Sequence, residues 1–285
     1  MGRFPTLEIR EKDSAGANFL YHTVPGRCLL QLLIRPGVSK ALGAFLDTGL
    51  SRYLVTPFVK TTKLDLSDYP ERTYGSFNDF FTRHIKDGRR TVDMDPNALV
   101  APCDGKLTVY PITAGGLFDI KHSVYSVTDL LRDEELAKEF EGGTCLIFRL
   151  TPDDFHRYSF MDNGSVLETK TLPGVLHTVR PIAFRRYPVF SENAREYAVL
   201  ETANFGKVIQ MEVGALFVGR IVNHPLTTFT KGQEKGKFEF GGSTVILMLQ
   251  KGAAVIDAEL LENTRQGKES IVRLGNRIGH RETSL

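Results

Sequence analysis

The stretch FEFGGSTVILML, residues 238–249, decides how the rest of the chain is interpreted. Its second half, STVILML, is a nearly continuous apolar run, which is typical of a strand buried on both faces. Two glycines, Gly241 and Gly242, interrupt the pattern directly before Ser243. Glycine inside a strand pattern weakens the strand and marks a bend or a close approach of the backbone. The stretch therefore predicts a core strand that begins with a hydroxyl beside an accessible peptide bond.

Strand patterns dominate the chain from residue 143 onward. The tetrapeptide ANFG (203–206) lies between two apolar runs and predicts a tight hairpin. Since neither βαβ alternation nor an internal repeat is present, we predict an α+β fold, with a mainly antiparallel β-sheet and helices near its N-terminal side. The predicted strands are TCLIFRL (144–150), EYAVLET (196–202), KVIQMEVGALFVGRIV (207–222), STVILML (243–249) and AAVIDAELL (253–261).

Helical patterns occupy the N-terminal part, over residues 27–62, and shorter helices are predicted at 76–85 and 128–140. Within 39–59, apolar residues recur at helical spacing with basic residues around them. Such a stripe either packs on the rest of the protein or binds an anionic lipid surface. The stripe consists of Leu42, Phe45, Leu46, Leu50, Tyr53 and Leu54, and the basic residues are Arg27, Arg35, Lys40, Arg52, Lys60 and Lys63.

Composition excludes several classes of protein. The 36 basic and 34 acidic residues leave a net charge of +2, without the concentrated basic excess of a nucleic-acid-binding protein. Cys28, Cys103 and Cys145 form no C-x-x-C pair, which argues against a disulfide framework and a zinc site and favours a reducing cytosol. No secretory signal and no apolar run of roughly 20 residues is visible, so we expect a soluble or membrane-peripheral protein.

Three polar positions are candidates for chemistry. Asp104 lies in the turn of APCDGKL (101–107), His156 follows a predicted strand in RLTPDDFHRYSF (149–160), and Ser243 follows the glycine pair. Taken singly, each has an ordinary structural explanation: a turn aspartate, a hydrogen-bonded histidine and a loop serine. Together they supply the carboxylate, imidazole and hydroxyl that activate a serine nucleophile. No metal-ligand spacing is present.

Five ordered motifs resemble those of the pyruvoyl-dependent phosphatidylserine decarboxylases and cover roughly residues 75–250. The tetrapeptide GGST resembles the processing site of part of that family, where other members have LGST. The motifs are FNDFFTRHIKDGRR (77–90), APCDGKL (101–107), LTPDDFHRY (150–158), VGALFVGRI (213–221) and KGQEKGKFEFGGST (231–244).

The resemblance implies a proenzyme that cleaves its own backbone. Ser243 would attack the carbonyl of Gly242 to form an ester, and elimination and hydrolysis would leave a pyruvoyl group, a covalent pyruvate, at the new N-terminus. A glycine before the serine suits the bent geometry of this attack. The family's base for the serine is an imidazole assisted by an aspartate, here Asp104. The pyruvoyl carbonyl then serves as the electron acceptor in decarboxylation, and His156 is the candidate to protonate the resulting carbanion.

One position departs from the family pattern. The family usually has H-R-x-H, with one histidine for self-cleavage and the other for decarboxylation, whereas this chain has Ser159 at the second position. Either His156 serves both steps, or His177 or His224 is the substitute base.

The sequence thus predicts two parts: an N-terminal helical, membrane-peripheral region (1–75), and a catalytic domain (76–285) self-cleaved between residues 242 and 243. The predicted function is decarboxylation of phosphatidylserine to phosphatidylethanolamine on the cytoplasmic side of the cell membrane. The predicted partners are an anionic phospholipid surface and the chain's own two fragments, as a heterodimer; a homodimer is left open, and no nucleic acid is expected. The alternatives are a pyruvoyl-dependent decarboxylase of a soluble amino acid and a non-processed lipid-binding or carrier module.

Overall fold

The computed structural model describes residues 2–8, 14–120, 123–184, 186–217, 220–240 and 243–282. Its helices are α1 (Ala15–His22), α2 (Val24–Leu33), α3 (Pro36–Leu46), α4 (Val55–Thr62), α5 (Phe77–Phe81), α6 (Val127–Leu131), α7 (Glu134–Lys138), α8 (Pro181–Phe184), α9 (Val189–Glu192) and α10 (Ala258–Arg265), with a 3-10 helix at Gly49–Leu54.

Strands make up most of the second half, as the apolar runs predict. They are β1 (Thr6–Glu8), β2 (Ala98–Val100), β3 (Gly105–Pro111), β4 (Leu117–Ile120), β5 (Ser123–Ser126), β6 (Thr144–Leu150), β7 (Arg157–Ser159), β8 (Gly164–Leu172), β9 (Arg195–Thr202), β10 (Gly206–Val213), β11 (Ile221–Asn223), β12 (Thr228–Phe229), β13 (Glu234–Phe238), β14 (Ser243–Leu249), β15 (Ala254–Ile256), β16 (Lys268–Val272) and β17 (Arg277–Arg281).

A large antiparallel sheet forms the centre of the fold, in the order β1-β16-β3-β6-β14-β10-β9-β8-β12. Strand β14 lies inside it, paired with β6 on one side and β10 on the other, and all seven of its residues are buried. A strand covered on both faces requires a continuous apolar run, which explains the sequence of STVILML. The α+β prediction is confirmed.

Two smaller sheets accompany the large one, in the orders β11-β13-β7 and β15-β17-β2, and β4 pairs with β5. The predicted hairpin at 203–206 joins β9 to β10 and is confirmed. Gly206 adopts φ +63° there, in the left-handed region that favours glycine. The Thr202 hydroxyl donates to the Gly206 carbonyl oxygen over 2.7 Å and so closes the turn.

Several predicted elements have different bounds. The strand predicted at 253–261 is wrong beyond β15, because the Asp257 side chain accepts from the backbone N–H of Glu259 and begins α10. The helix predicted at 128–140 is two helices, since Arg132 has φ +48° and ends α6. The predicted strand 207–222 divides into β10 and β11, and the helix at 76–85 ends after Phe81.

The side chains of the predicted N-terminal apolar stripe do not lie on one face. Leu46 is buried against Phe77, Phe80 and Phe81, so its assignment to a lipid-facing stripe is wrong. In contrast, Leu50 is 72% exposed. The stripe splits because the helix predicted over 39–59 is broken into α3, the 3-10 helix and α4, which changes the direction of successive side chains.

Helices α1 and α2 share a buried core with the large sheet, through Tyr21, Leu30 and Ile34, the residue that follows α2. The division of the chain at residue 75 stays a prediction. Within the described ranges, no single helix is long and apolar enough to cross a bilayer. Helices α2 and α3 together reach that length and composition, with a bend of 67° between them.

Candidate active site

Ser243 is the first residue of β14 and lies opposite Leu150, the last residue of β6. Its side chain is fully buried, yet its Oγ has no hydrogen-bond partner among the described residues. A buried hydroxyl without a partner is costly, so its presence here calls for an explanation, and a functional role is one. Gly241 and Gly242 lie outside the described residues, so the predicted cleavage bond itself is not described.

Strand register shows which layer the serine faces. Side chains two apart on a strand share a face, so Ser243 lies on the same face as Val245, which pairs with Glu212 of β10. Glu212 accepts from the Nζ of Lys235 in β13 over 2.6 Å. The sheet β11-β13-β7 therefore covers the face that carries the Ser243 hydroxyl, and His156 directly precedes β7.

His156 is fully buried and has one free ring nitrogen. Its Nδ1 lies 2.9 Å from the backbone oxygen of Asp154. A carbonyl oxygen only accepts, so Nδ1 carries the proton and Nε2 holds an unprotonated lone pair. Nε2 has no hydrogen-bond partner in the described part of the chain. Burial lowers the pKa of the imidazole to about 3, so the ring is neutral near pH 7 and can accept a proton.

Aromatic contacts connect His156 to the chain that leads to Ser243. The ring of Phe81 lies 4.2 Å from that of His156 and 5.3 Å from that of Phe240, between ring centroids. Phe240 precedes the glycine pair, and three residues of chain span at most about 11 Å. Helix α5 thus brings the imidazole and Phe240 close to the end of β14 at which Ser243 lies. Sequence analysis singled out Ser243 and His156, and the structure places them at the same end of the sheet.

Asp104 has other partners than the imidazole. Its carboxylate accepts from Arg90 Nε and Nη2, with a shortest distance of 2.6 Å, and from the backbone N–H of Leu274 over 2.9 Å. No hydrogen bond joins Asp104 to His156 in the described residues. Asp104 and Asp154 do line one polar cavity of about 240 Å³. The role that the family resemblance gives to Asp104 stays a prediction.

Sequence reasoning did not identify the group that orients the imidazole, which is the backbone carbonyl of Asp154. The Asp154 carboxylate accepts from Lys106 Nζ and from the Thr151 backbone N–H, both over 2.6 Å. These bonds hold the turn before His156 in place. Any residue type can supply a backbone carbonyl, so the sequence does not show which residue orients the imidazole. Only the contacts of Asp154 with Lys106 and Thr151 show that this turn is held in place.

The two substitute histidines contact other groups. The His177 ring stacks on Tyr187 at 4.0 Å between centroids, its Nδ1 lies 3.4 Å from the Tyr21 hydroxyl, and burial lowers its pKa to about 4. His224 is half exposed and lies 3.0 Å from Glu234 Oε1. Among the described contacts, neither ring touches Ser243 or His156. Their roles as substitute bases stay predictions.

Ser159 occupies the position of the family's second histidine. Its backbone N–H and its hydroxyl both donate to the Pro102 carbonyl oxygen, over 2.8 and 3.3 Å. The residue is buried, and its own carbonyl accepts from Gln210 Nε2 over 3.2 Å. Ser159 is therefore a packed residue held by Pro102 and Gln210. Of the three candidate histidines, the described contacts place His156 at this end of β14.

The depressed pKa of His156 predicts a pH-dependent stability. Below pH 6.5 the unfolded chain binds a proton at this histidine that the folded chain excludes down to about pH 3. The free energy of unfolding therefore falls as the pH drops from 6.5, by about 1.4 kcal/mol per pH unit from this group. Urea unfolding between pH 5 and 6.5, in an uncleaved Ser243→Ala background, measures the slope. His156→Phe should lower the slope of unfolding free energy against pH by the contribution of this histidine, and an unchanged slope would contradict the prediction.

A cavity of about 360 Å³ adjoins the same end of β14. It is lined by Phe240, by Leu150, the register partner of Ser243, and by the apolar side chains of Leu20 in α1 and Leu216. A mainly apolar cavity beside a nucleophile and a base is the usual form of a small-molecule site. This cavity is the candidate substrate site.

Comparison with known proteins identifies the family. The family model "Phosphatidylserine decarboxylase" matches residues 77–280, more than half of the chain. The chain belongs to the phosphatidylserine decarboxylase family. It is 47% identical to "Phosphatidylserine decarboxylase proenzyme 2" of Clostridium acetobutylicum over 92% of its length and 90% of that protein. It is also 40% identical to a phosphatidylserine decarboxylase proenzyme of Clostridium botulinum, over 92% of this chain and 91% of the relative.

Membership of this family confirms the resemblance seen in the five motifs and makes the chain a decarboxylase. A third relative, a proenzyme of Ruminiclostridium cellulolyticum, is 39% identical over 92% of this chain and 90% of its own length. The relatives are named proenzymes, which implies self-processing. Ser243 and His156 both lie within the range matched by the family model.

Proposed function

We propose that this chain is a proenzyme that cleaves itself between Gly242 and Ser243 and then converts phosphatidylserine to phosphatidylethanolamine and CO2. The proposed cofactor is a covalent pyruvoyl group derived from Ser243. The observation that carries the proposal is a pair of buried atoms at one end of the central sheet, Ser243 Oγ and His156 Nε2, neither of which has a hydrogen-bond partner among the described residues.

The chain's own residues account for activation of the serine. His156 Nε2 is unprotonated and desolvated, so it can take the proton of the Ser243 hydroxyl as the oxygen attacks the preceding carbonyl. The Asp154 carbonyl holds the opposite ring nitrogen and keeps Nε2 in the basic tautomer. No other described residue hydrogen-bonds to either atom, so both remain available for this proton transfer.

The residues present also fit the second reaction. A pyruvoyl carbonyl supplies an electron acceptor for the carbon that loses CO2. His156 is suited to return a proton to that carbon, because an imidazolium with a depressed pKa is a strong acid once Nε2 is protonated. The mainly apolar lining of the cavity beside Phe240 would disfavour water near the reacting carbon.

The two fragments would remain together after cleavage. The smaller one, residues 243–285, contains β14, which is hydrogen-bonded to β6 and β10 on its two sides. It also contains β16 and β17, which pair with β3 and β2 of the larger fragment. These ladders and the buried apolar face of β14 hold a heterodimer without a covalent link.

Intact mass spectrometry of the purified protein, followed by product analysis, tests the function. We expect two chains split before Ser243, a small chain without a free amino terminus that reacts with carbonyl reagents, and phosphatidylethanolamine from phosphatidylserine vesicles. CO2 released from free amino acids but not from vesicles would favour the soluble amino acid alternative. A single intact chain on a denaturing gel would favour the lipid-binding or carrier alternative.

We further propose that the N-terminal region lies on the cytoplasmic surface of an anionic membrane. Exposed apolar side chains concentrate there, and exposed basic residues such as Arg35, Lys40 and Arg52 lie among them. Apolar side chains with adjacent cations are what an interfacial segment requires. The exposed large apolar residues described in this region are Leu7, Phe19, Val24, Leu29, Leu32, Phe45, Leu50, Tyr53, Leu54 and Leu66.

Leu50 and Tyr53 provide a test of membrane binding, because they lie one turn apart in the 3-10 helix and are 72% and 68% exposed. The double change Leu50→Asp and Tyr53→Asp should weaken co-sedimentation with anionic vesicles by about 10-fold or more, without lowering the melting temperature. Met94→Asp, at a position 62% exposed outside the region, is the matched control and should bind normally. Unchanged binding of the double variant would contradict the membrane proposal.

A further inference from the structure

The candidate substrate cavity contains two arginines in different electrostatic states. Arg149 is 4% exposed and forms a paired contact with the equally buried Glu269, with 2.6 Å between Nη2 and Oε2 and 2.9 Å between Nε and Oε1. Arg180 also lines the cavity, but its guanidinium has no ion pair or hydrogen bond with any residue that the structure describes. Within the described part of the chain, the cavity therefore holds one arginine paired with a carboxylate and one arginine without such a partner.

The backbone before Arg180 is held in place. The Thr178 backbone N–H donates to the Tyr21 hydroxyl over 3.0 Å, and the Arg180 carbonyl accepts from the Ala183 N–H over 3.0 Å. Arg180 is partly buried, so its charge is less screened than that of a surface arginine. An unpaired guanidinium on an anchored segment is suited to a ligand that brings its own negative charge.

Helix α1 connects the cavity to the exposed apolar surface. Ala17, Leu20 and Tyr21 line the cavity, whereas Phe19 on the same helix is 45% exposed. A lipid whose acyl chains lie along the N-terminal helices could place its polar part in the cavity. Phe240 and Leu150 on the cavity wall adjoin the Ser243 end of β14.

We propose that Arg180 binds the phosphodiester of the lipid headgroup and so selects phosphatidylserine over free serine; this inference rests on the proposed function. The serine carboxylate is the less suitable partner, because it leaves as neutral CO2. A cation paired with it would stabilise the substrate more than the transition state. The phosphodiester keeps its charge throughout, so its ion pair contributes to binding in both states.

Steady-state kinetics of Arg180→Ala with phosphatidylserine in neutral detergent micelles tests the assignment, because such micelles separate headgroup binding from adsorption to an anionic surface. We expect KM to rise about 10- to 100-fold with little change in kcat. Arg180→Lys should recover part of the loss. Arg186→Ala is the matched control, since Arg186 is exposed and does not line the cavity, and it should behave as wild type.

Glycerophosphoglycerol, a soluble phosphodiester without an amine, provides a second readout. It should inhibit the wild type competitively, and Arg180→Ala should remove that inhibition. Equal inhibition by inorganic phosphate at the same concentration would identify a site for free phosphate and overturn the headgroup assignment. So would a KM of Arg180→Ala within about twofold of wild type.

The mass of the small fragment separates this inference from the proposed function. Each variant should show the same cleaved chains as wild type, because Arg180 is not part of the cleavage machinery. A wild type that is uncut, or that leaves phosphatidylserine unchanged, refutes the proposed function before any variant is compared. If the wild type is cleaved and active but Arg180→Ala has the wild-type KM, this inference alone is refuted.

Discussion

Ser243→Ala should give a single uncut chain that releases no detectable CO2 from phosphatidylserine, a loss on the order of 10⁴-fold or more. The change removes the nucleophile and, with it, the source of the pyruvoyl group. It should cost little stability, because Ser243 Oγ makes no hydrogen bond within the described residues. Denaturing electrophoresis, intact mass and a thermal melt measure the three outcomes.

Ser243→Cys is the matched variant, because it retains a nucleophile of nearly the same size at the start of β14. It should still be cut, whereas Ser243→Ala should stay intact with a similar melting temperature. A Ser243→Ala chain cut at the same bond would show that another group attacks. An intact wild-type chain that decarboxylates phosphatidylserine would contradict the whole mechanism.

His156→Ala should also remain uncut and inactive, with a loss of at least about 10²–10⁴ in the rate of cleavage. The reason is that Nε2 is a buried, neutral and unpartnered base at the end of the sheet where Ser243 lies. His177 and His224 are engaged with Tyr21 and Glu234. The time course of fragment appearance after expression or refolding measures the rate.

His156→Phe separates the chemical role from packing, because a phenyl ring fills the space beside Phe81 without supplying a base. It should fold, melt near the wild-type temperature at pH 7 and remain uncut. The matched controls His177→Phe and His224→Ala should be cut at the wild-type rate. Normal cleavage of the His156 variants would assign the base elsewhere, and wild-type turnover would remove His156 from the mechanism.

Much of the fold follows from local patterns in the sequence. The bounds of β6 and β14 agree with the predicted 144–150 and 243–249, because a strand covered on both faces leaves a continuous apolar run. The hairpin at 203–206 was predictable from its turn residues. Ser243, Asp104 and His156 were candidates from their residue types, which are visible without coordinates, and the order of the five motifs identified the family.

Tertiary contacts decided the features that residue type does not encode. Leu46 and Leu50 have the same apolar character, yet one is in the core and the other is exposed, because a helix break reorients the chain between them. Asp104 pairs with Arg90, and the backbone carbonyl of Asp154 accepts from His156. No pattern in the neighbouring sequence predicts either partner.

The candidate site shows the same division between local and long-range information. From the sequence alone, Arg149 and Arg180 are two equivalent cations. Glu269 neutralises the first from 120 residues away, across the sheet, so only the fold distinguishes the two. The sequence by itself determined which groups can react, whereas the fold determined which of them find a partner among the described residues, because pairing depends on contacts between residues far apart in the chain.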